Sequence, residues 1–403
     1  MISKEVLEDI TEGWAEDILQ ENVIHRDLTD EAEETIEHEE VTVIKGVRRA
    51  GKTFILYEMF QKYGGLYINF EDERLFDFTL DDFERLYDIA NVTGKKILYM
   101  DEVQNIEGWE KFVHRVHRKL KIFVTGSNSA LLSSDYSKAL VGRTRTLSVT
   151  PLQYNEFLRF RDNKGGRESF LEYMELGGFP RIVLTGNKSL AKEYLDRIIY
   201  RDILGTEKVM YPDSISRLAL YLLSNVGKEF SYRSLREVCG VKHENTVKEY
   251  LNMLREAFLI DLITRYHLSL RKQESYGKKI YSVDPAFVHI GKRLDGDHGR
   301  ILENIVYLHL KNIHEDIYFG KNNKEVDFVI CNGLNPIEVL NVTYEAETES
   351  TLEREISSLE YFAKKYDVPA GLISLYPCKV PEDIEFHLVH RYLDKSRNPL
   401  RKS

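Results

Sequence analysis

The sequence predicts an α/β fold built on a parallel sheet, and three observations carry that expectation. Short apolar runs rich in β-branched and aromatic residues alternate with helical patterns between residues 41 and 150. The first of these runs leads straight into Gly46-Val47-Arg48-Arg49-Ala50-Gly51-Lys52-Thr53, a glycine-framed loop that opens a helix. A later run, Ile97–Met100, delivers the acidic pair Asp101-Glu102 at its carboxyl end. Strands this short and apolar, separated by helices, belong in a sheet covered on both faces.

Val41–Lys45 reads as the first strand, and a helix follows from Lys52 to Tyr63. Leu66–Phe70, Ile97–Met100, Ile122–Thr125 and Thr144–Val149 are further strands, with a helix around Trp109–Lys119. From Pro151 to Gly205 the pattern is helical, broken by the polar stretch Arg161–Arg167 and by Gly177-Gly178-Phe179-Pro180. Residues 213–290 differ. Helical stretches at Ser214–Ser224, Ser231–Val238 and Asn245–Ala257 precede apolar alternation at Leu259–Tyr266 and Lys279–Val283, the order of a winged helix-turn-helix. After Asp295–Gly299 come a helix at Arg300–Lys311, strand-like runs at Asp316–Phe319, Val326–Ile330 and Pro336–Leu340, and a helix over Glu353–Lys365. The expected domains are therefore 1–205, 206–292 and 293–403.

A chain of 403 residues exceeds one typical core and fits two or three domains. No apolar run approaches a membrane span, and Met1–Asp30 is acidic throughout, without the apolar centre of a signal peptide. Cys239, Cys331 and Cys378 match neither a zinc spacing nor a disulfide framework, so they are expected as thiols in a reducing, cytoplasmic setting. The net charge of −10 argues against indiscriminate coating of nucleic acid, while leaving room for a local basic surface. The acidic run Asp30–Glu40 reads as a solvated face.

The loop at 46–53 fits G-x-x-x-x-G-K-[ST] at every fixed position. Gly46 and Gly51 let the backbone curl so that successive N–H groups face phosphate oxygens at the start of a helix dipole. Residues Gly46 to Thr53, with Phe54, are the expected ATP-binding segment; Lys52 places a point charge on the β- and γ-phosphates. Thr53 and Asp101 are the expected Mg²⁺ residues, and Glu102 the group that orients and deprotonates water. Thr125-Gly126-Ser127-Asn128 ends the next strand in small polar groups; Asn128 and Thr125 are both candidates to hydrogen-bond the attacking water or the γ-phosphate. Arg143, near Arg145, is a candidate cation for the γ-phosphate, in cis or from a neighbouring subunit of an oligomer.

These elements, with Pro151-Leu152 and Gly177-Gly178-Phe179-Pro180, resemble the AAA+ ATPases of archaea and bacteria in which a domain of unknown function follows the ATPase core. The resemblance implies a sheet ordered 5-1-4-3-2, a helical lid, Asn128 or Thr125 in the sensor-one role and Arg143 as the finger candidate. Tyr200-Arg201-Asp202-Ile203 resembles that family's junction with the C-terminal half.

In the downstream half, Tyr232–Val238, a turn at Cys239–Val241 and a helix bearing Asn245, Thr246, Lys248 and Tyr250 form the helix-turn-helix reading. Arg271, Lys272, Lys278 and Lys279 are expected at the tip of the following hairpin, where they would face DNA phosphates. Against this, the presumed recognition helix balances Lys242, Lys248 and Arg255 with Glu244, Glu249 and Glu256, which suits a protein partner as well. In the last region Glu303, Asp327 and Glu338 resemble the constellation of PD-(D/E)XK nucleases. The resemblance places a Lys at position 340, which here is Leu340, and so implies lost chemistry. The leading expectation is a nucleotide-driven switch acting on DNA; an ATP-dependent endonuclease and a nucleotide-gated regulator of a protein partner are the alternatives.

Overall fold

The computed structural model describes residues 2–126, 140, 142–205, 209, 211–291, 298–345 and 349–394, which form two compact units, Met1–Thr150 and Pro151–Ser403. No helix among the described residues is long and apolar enough to cross a membrane.

In the first unit, helices α1 (Lys4–Gln20) and α2 (Asp27–Glu33) precede β1 (Val41–Gly46), α3 (Lys52–Tyr63) and β2 (Leu66–Asn69). Then come α4 (Asp82–Val92), β3 (Ile97–Asp101), α5 (Trp109–Val116), β4 (Lys121–Gly126) and β5 (Thr144–Val149). Every strand pair is parallel, and the order β2-β3-β4-β1-β5 is the expected 5-1-4-3-2 read from the other edge. The strands are apolar on both faces because helices cover both: Val41, Val43 and Ile44 in β1 and Ile122, Phe123 and Val124 in β4 are all buried. Phe83 of α4 stacks on Phe112 of α5 with ring centroids 4.5 Å apart. The N-terminal helix, which the acidic composition hides, docks Leu7, Ile10 and Ile18 into the core. Trp14 Nε1 of the same helix donates to Asp72 Oδ2 at 3.0 Å. Within the acidic run, Thr35 is fully buried, its Oγ1 2.6 Å from Thr42 Oγ1, so that run is not wholly a solvated face.

The second unit opens with α6 (Tyr154–Phe160), α7 (Arg167–Leu176), α8 (Pro180–Thr185) and α9 (Ser189–Arg197). The sequence groups these helices with the core; they pack instead within the second unit. Phe179 lies 4.9 Å from Phe287 between ring centroids, and Asp284 Oδ2 accepts from Gly178 N at 2.7 Å. A Cβ at Gly177 would stand 2.0 Å from Asp284 Oδ1, and one at Gly178 2.3 Å from Leu152 O, which explains the glycine pair.

Next come α10 (Pro212–Leu223), β6 (Glu229–Phe230), α11 (Tyr232–Cys239), α12 (Glu244–Glu256), β7 (Ile260–Thr264), α13 (Leu270–Ser275) and β8 (Lys278–Ser282). Their three strands form an antiparallel sheet ordered β6-β8-β7. Arg271 and Lys272 are exposed between β7 and β8 as expected, but Lys278 and Lys279 are not at a tip: both lie in β8 and are buried. The strand begins at Lys278 because each ammonium finds carboxylates, Glu274 in the case of Lys278 at 3.2 Å.

The chain closes with α14 (Pro285–Ile290), α15 (His298–Ile313), β9 (Asp316–Lys321), β10 (Glu325–Asn332), β11 (Asn335–Thr343), α16 (Glu349–Tyr366), β12 (Ala370–Ser374), β13 (Ile384–Leu388) and α17 (Val389–Asp394). This five-stranded sheet, the second sheet of the second unit, runs β13-β12-β11-β10-β9, antiparallel across β9, β10 and β11 and parallel from β11 to β13.

Candidate nucleotide site

The glycine-framed loop takes its shape from three positive backbone angles: Gly46 at φ 155°, Arg49 at φ 70° and Gly51 at φ 101°. Gly46 is also a matter of space, since a Cβ there would meet Val149 O at 2.1 Å. The loop buries Val47 and Ala50, leaves Arg49 exposed, and sets Arg48 Nη1 3.5 Å from Glu71 Oε1. Lys52 opens α3 and is buried, its ammonium arched back to donate to the carbonyls of Gly46 at 3.2 Å and Val47 at 3.3 Å. Phe54, one residue past the motif, is 42% exposed and lies beside Tyr57, ring centroids 5.4 Å apart.

Because β1, β3 and β4 are parallel neighbours, their carboxyl ends converge, as ligand sites of open α/β sheets require. Asp101 ends β3 fully buried and accepts three hydroxyl protons. Thr53 Oγ1 donates to its Oδ2 at 2.8 Å and Tyr67 OH to the same oxygen at 2.7 Å, while Thr125 Oγ1 donates to Oδ1. Burial, seconded by the charge of Glu102, holds the Asp101 carboxyl above the usual carboxylate range, and the hydroxyl donors pull it back. Thr125 Oγ1 also accepts from Glu102 N at 3.0 Å, so one hydroxyl fixes both acids of the pair. Glu102 itself stands in the left-handed region (φ 51°, ψ 45°), and Gln104 Nε2 donates to its Oε2 at 2.6 Å. A Thr hydroxyl beside a buried carboxylate is a hard-oxygen pair suited to Mg²⁺, and the glycines leave the loop free of side chains where phosphates would lie, so the residues present fit nucleotide and metal.

The sequence missed Arg26. This side chain is 3% exposed; Nη1 donates to Ala50 O in the loop at 2.7 Å and Nη2 to Thr150 O just past β5 at 2.9 Å. Glu58 of α3 receives Thr29 Oγ1 at 2.6 Å and the Arg26 backbone N–H at 3.4 Å, which ties the start of α2 to the helix behind the loop. An arginine following His25 in a predominantly acidic N-terminus was the available signal. Tyr67 was missed too, being indistinguishable from any apolar strand residue.

Asn128 lies outside the described residues, which leaves Thr125 as the described member of that candidate pair. Arg143 lies away from the loop of its own chain. Val41 pairs with Thr144 and Gly46 with Val149, so Arg143 precedes β5 at the end of the sheet opposite the loop. At about 3.3 Å per residue that separation is on the order of 17 Å, which excludes Arg143 as a cation for its own chain's γ-phosphate. Its guanidinium instead meets His114 Nε2 at 2.5 Å, and Arg145 Nη2 lies 3.3 Å from Glu34 Oε2.

In the second sheet, Glu303 of α15 and Asp327 of β10 come together, but Glu338 does not join them. Register places Glu338 opposite Ile330 and Leu340 opposite Phe328, while Asp327 is held by Asn341 Oδ1, which accepts from its backbone N at 3.0 Å. Burial and Glu385 push the Glu338 carboxyl up to about 7. The cation between Glu303 and Asp327 is Lys279, 3.4 Å from each.

A family model described as an AAA domain matches residues 38–158, and one described as a domain of unknown function (DUF8612) matches residues 167–297. The uncharacterized protein MJ1544 of Methanocaldococcus jannaschii is 34% identical over 392 residues, covering 89% of this chain and 86% of that protein. An uncharacterized protein of Haemophilus influenzae is 28% identical over 316 residues, covering 72% of this chain and 79% of its own length. Among solved structures, the Walker-type ATPase PABY2304 of Pyrococcus abyssi is similar at 18% identity and a TM-score of 0.47, over 67% of this chain and 96% of that one.

Proposed function

Since the chain belongs to the AAA+ ATPases of archaea and bacteria, we propose that it binds ATP with Mg²⁺ at residues 46–53 and hydrolyses it with Asp101 and Glu102. The observation that carries this reading is the pairing of the Thr53 hydroxyl with Asp101, and of Asp101 and Glu102 with the one Thr125 hydroxyl, at the carboxyl ends of adjacent parallel strands.

The loop amides and Lys52 hold the phosphates, and Lys52 exchanges its bonds to the Gly46 and Val47 carbonyls for phosphate oxygens. Thr53 and Asp101 hold Mg²⁺, which when bound neutralises charge developing on the phosphates. Glu102, anchored through its own amide, orients a water and takes its proton; Gln104 keeps the carboxylate aimed. Thr125 acts at the strand end as a positioning residue. An arginine finger, if this chain supplies one, acts on a neighbouring subunit, and Arg143 serves only in that arrangement.

Residues 212–282 are read as a winged helix, supported by three helices followed by a hairpin and the β6-β8-β7 order. DNA is its proposed partner, through the exposed Arg271 and Lys272 and the exposed Lys248 of α12. The burial of Lys278 and Lys279 removes half of the expected basic tip and favours the second reading, a nucleotide-gated regulator of a protein partner. A reducing, cytoplasmic setting belongs to the same proposal.

The test is phosphate release by the wild type, Lys52→Ala and Glu102→Gln, with and without duplex DNA over a range of salt. Turnover lost in both variants supports the ATPase; normal turnover in both rejects it. Stimulation by DNA that fades as salt rises supports the DNA reading. Turnover indifferent to DNA moves the assignment to the protein partner.

A further inference from the structure

We infer that the acidic centre of the second sheet carries its own cation: the Lys279 ammonium occupies the point between Glu303, Glu325 and Asp327 where a carboxylate cluster of this kind would take a divalent metal. Lys279 comes from β8 of the three-stranded sheet, whereas the acids come from α15 and β10. Its Nζ lies 3.0 Å from Glu325 Oε1 and 3.4 Å from both Glu303 Oε1 and Asp327 Oδ1, with 3% of the side chain exposed. The Phe319 ring closes another side, its centroid 5.5 Å from Nζ.

Carboxylate oxygens are the ligands a hard cation takes, and Mg²⁺ would need them roughly 2.0–2.1 Å away, closer than the 3.0–3.4 Å at which they stand around Nζ. The space between them is filled by the ammonium. Some of the carboxylate oxygens have further partners. Glu303 Oε1 also accepts from Tyr281 OH at 2.7 Å, and Asp327 Oδ2 from Val342 N at 2.9 Å. Glu325 also meets Lys321 at 3.6 Å, and Lys321 pairs with Glu229 of β6. Burial pushes the Glu303 carboxyl up to about 7 against the pull of Lys279, which lessens the negative charge gathered around the ammonium. The same ammonium joins β8 to α15 and β10, so the cluster serves to hold elements together.

None of these residues lies in the loop at 46–53, and the assay contains no nucleotide, so its outcome is independent of ATP turnover. The full-length wild type, Lys279→Ala, Asp327→Asn and the Lys279→Ala/Asp327→Asn double variant are titrated with Mn²⁺, reading bound ion by electron paramagnetic resonance and the thermal midpoint. The wild type is expected to bind no Mn²⁺ beyond that of Asp327→Asn. Lys279→Ala is expected to melt lower, gain one Mn²⁺ and recover its midpoint progressively as Mn²⁺ rises, with gain and recovery lost in the double variant. A folded Lys279→Ala that gains no ion overturns the inference. If that variant does not fold, the wild type decides: an Asp327-dependent Mn²⁺, or Mn²⁺-dependent nicking of DNA lost in Asp327→Asn, overturns it, and equal binding in the two proteins supports it.

Discussion

The Thr53 hydroxyl donates to Asp101 Oδ2 across 2.8 Å, joining the first turn of α3 to the end of β3. Residues 48 positions apart thus share one polar contact at the heart of the candidate site, with Tyr67 and Thr125 closing the other sides of the carboxylate.

Glu102→Gln keeps the shape of the side chain and removes its basicity. Hydrolysis is expected to slow by about 10²–10⁴-fold, the usual worth of a positioned acid–base group, while nucleotide binding persists. Single-turnover phosphate release alongside equilibrium binding of a fluorescent nucleotide checks this; a Gln variant with wild-type turnover rejects the role.

Thr125→Val replaces a hydroxyl by a methyl of similar volume and strands both Asp101 Oδ1 and Glu102 N. The expected loss is roughly 1–3 kcal/mol of stability, the penalty for an unsatisfied buried group. Turnover should also require more Mg²⁺. Chemical denaturation and a Mg²⁺ titration of turnover read the two effects separately.

Arg26→Gln leaves the carbonyls of Ala50 and Thr150 without the guanidinium that now binds both. A loss of about 1.5–3 kcal/mol is expected for a charge-assisted contact of this kind. Because the loop is affected more than the acids, KM for ATP should rise more than kcat falls. Arg26→Lys, with a single ammonium, should recover only part of the effect; unchanged KM in both variants would show that the contact is structural alone.

Asp284 provides a pH signature in the second unit. Burial lifts its carboxyl from 3.8 to about 7, against the backbone N–H donors of Ala286 and Gly178. A folded value above the unfolded one means that the native state binds the proton more tightly. Its contribution is therefore full below pH 3.8 and is lost as pH rises through about 7. The non-titrating Asp284→Asn variant should show a flatter urea midpoint across that window; identical pH slopes would contradict the assignment.

Much of the first unit was legible in the sequence because its signals are local. The loop motif spans eight consecutive residues, and the acids of Asp101-Glu102 follow directly on an apolar strand. Strand order came with the resemblance and agrees with the observed pairing. What stayed hidden depends on distance along the chain. Arg26 acts on Ala50 and Thr150, and Lys279 on acids from Glu303 to Asp327, none of them predictable from spacing. Lys278 and Lys279 looked like an exposed basic tip because a charged pair at a hairpin is usually solvated; only carboxylates within reach of each ammonium make that position tenable. Glu338 was misplaced because register, not spacing, decides which side chains of neighbouring strands meet.

The left-handed backbone of Glu102 has a consequence for how durability and chemistry trade against one another. A non-glycine residue in that conformation costs on the order of 1 kcal/mol, and glycine would adopt it freely. A chain shaped only by the need to stay folded would carry glycine at 102. Glu102→Gly should therefore survive heat at least as well as the native protein while lacking the carboxylate, and a screen for thermostability alone would drift toward an inert molecule.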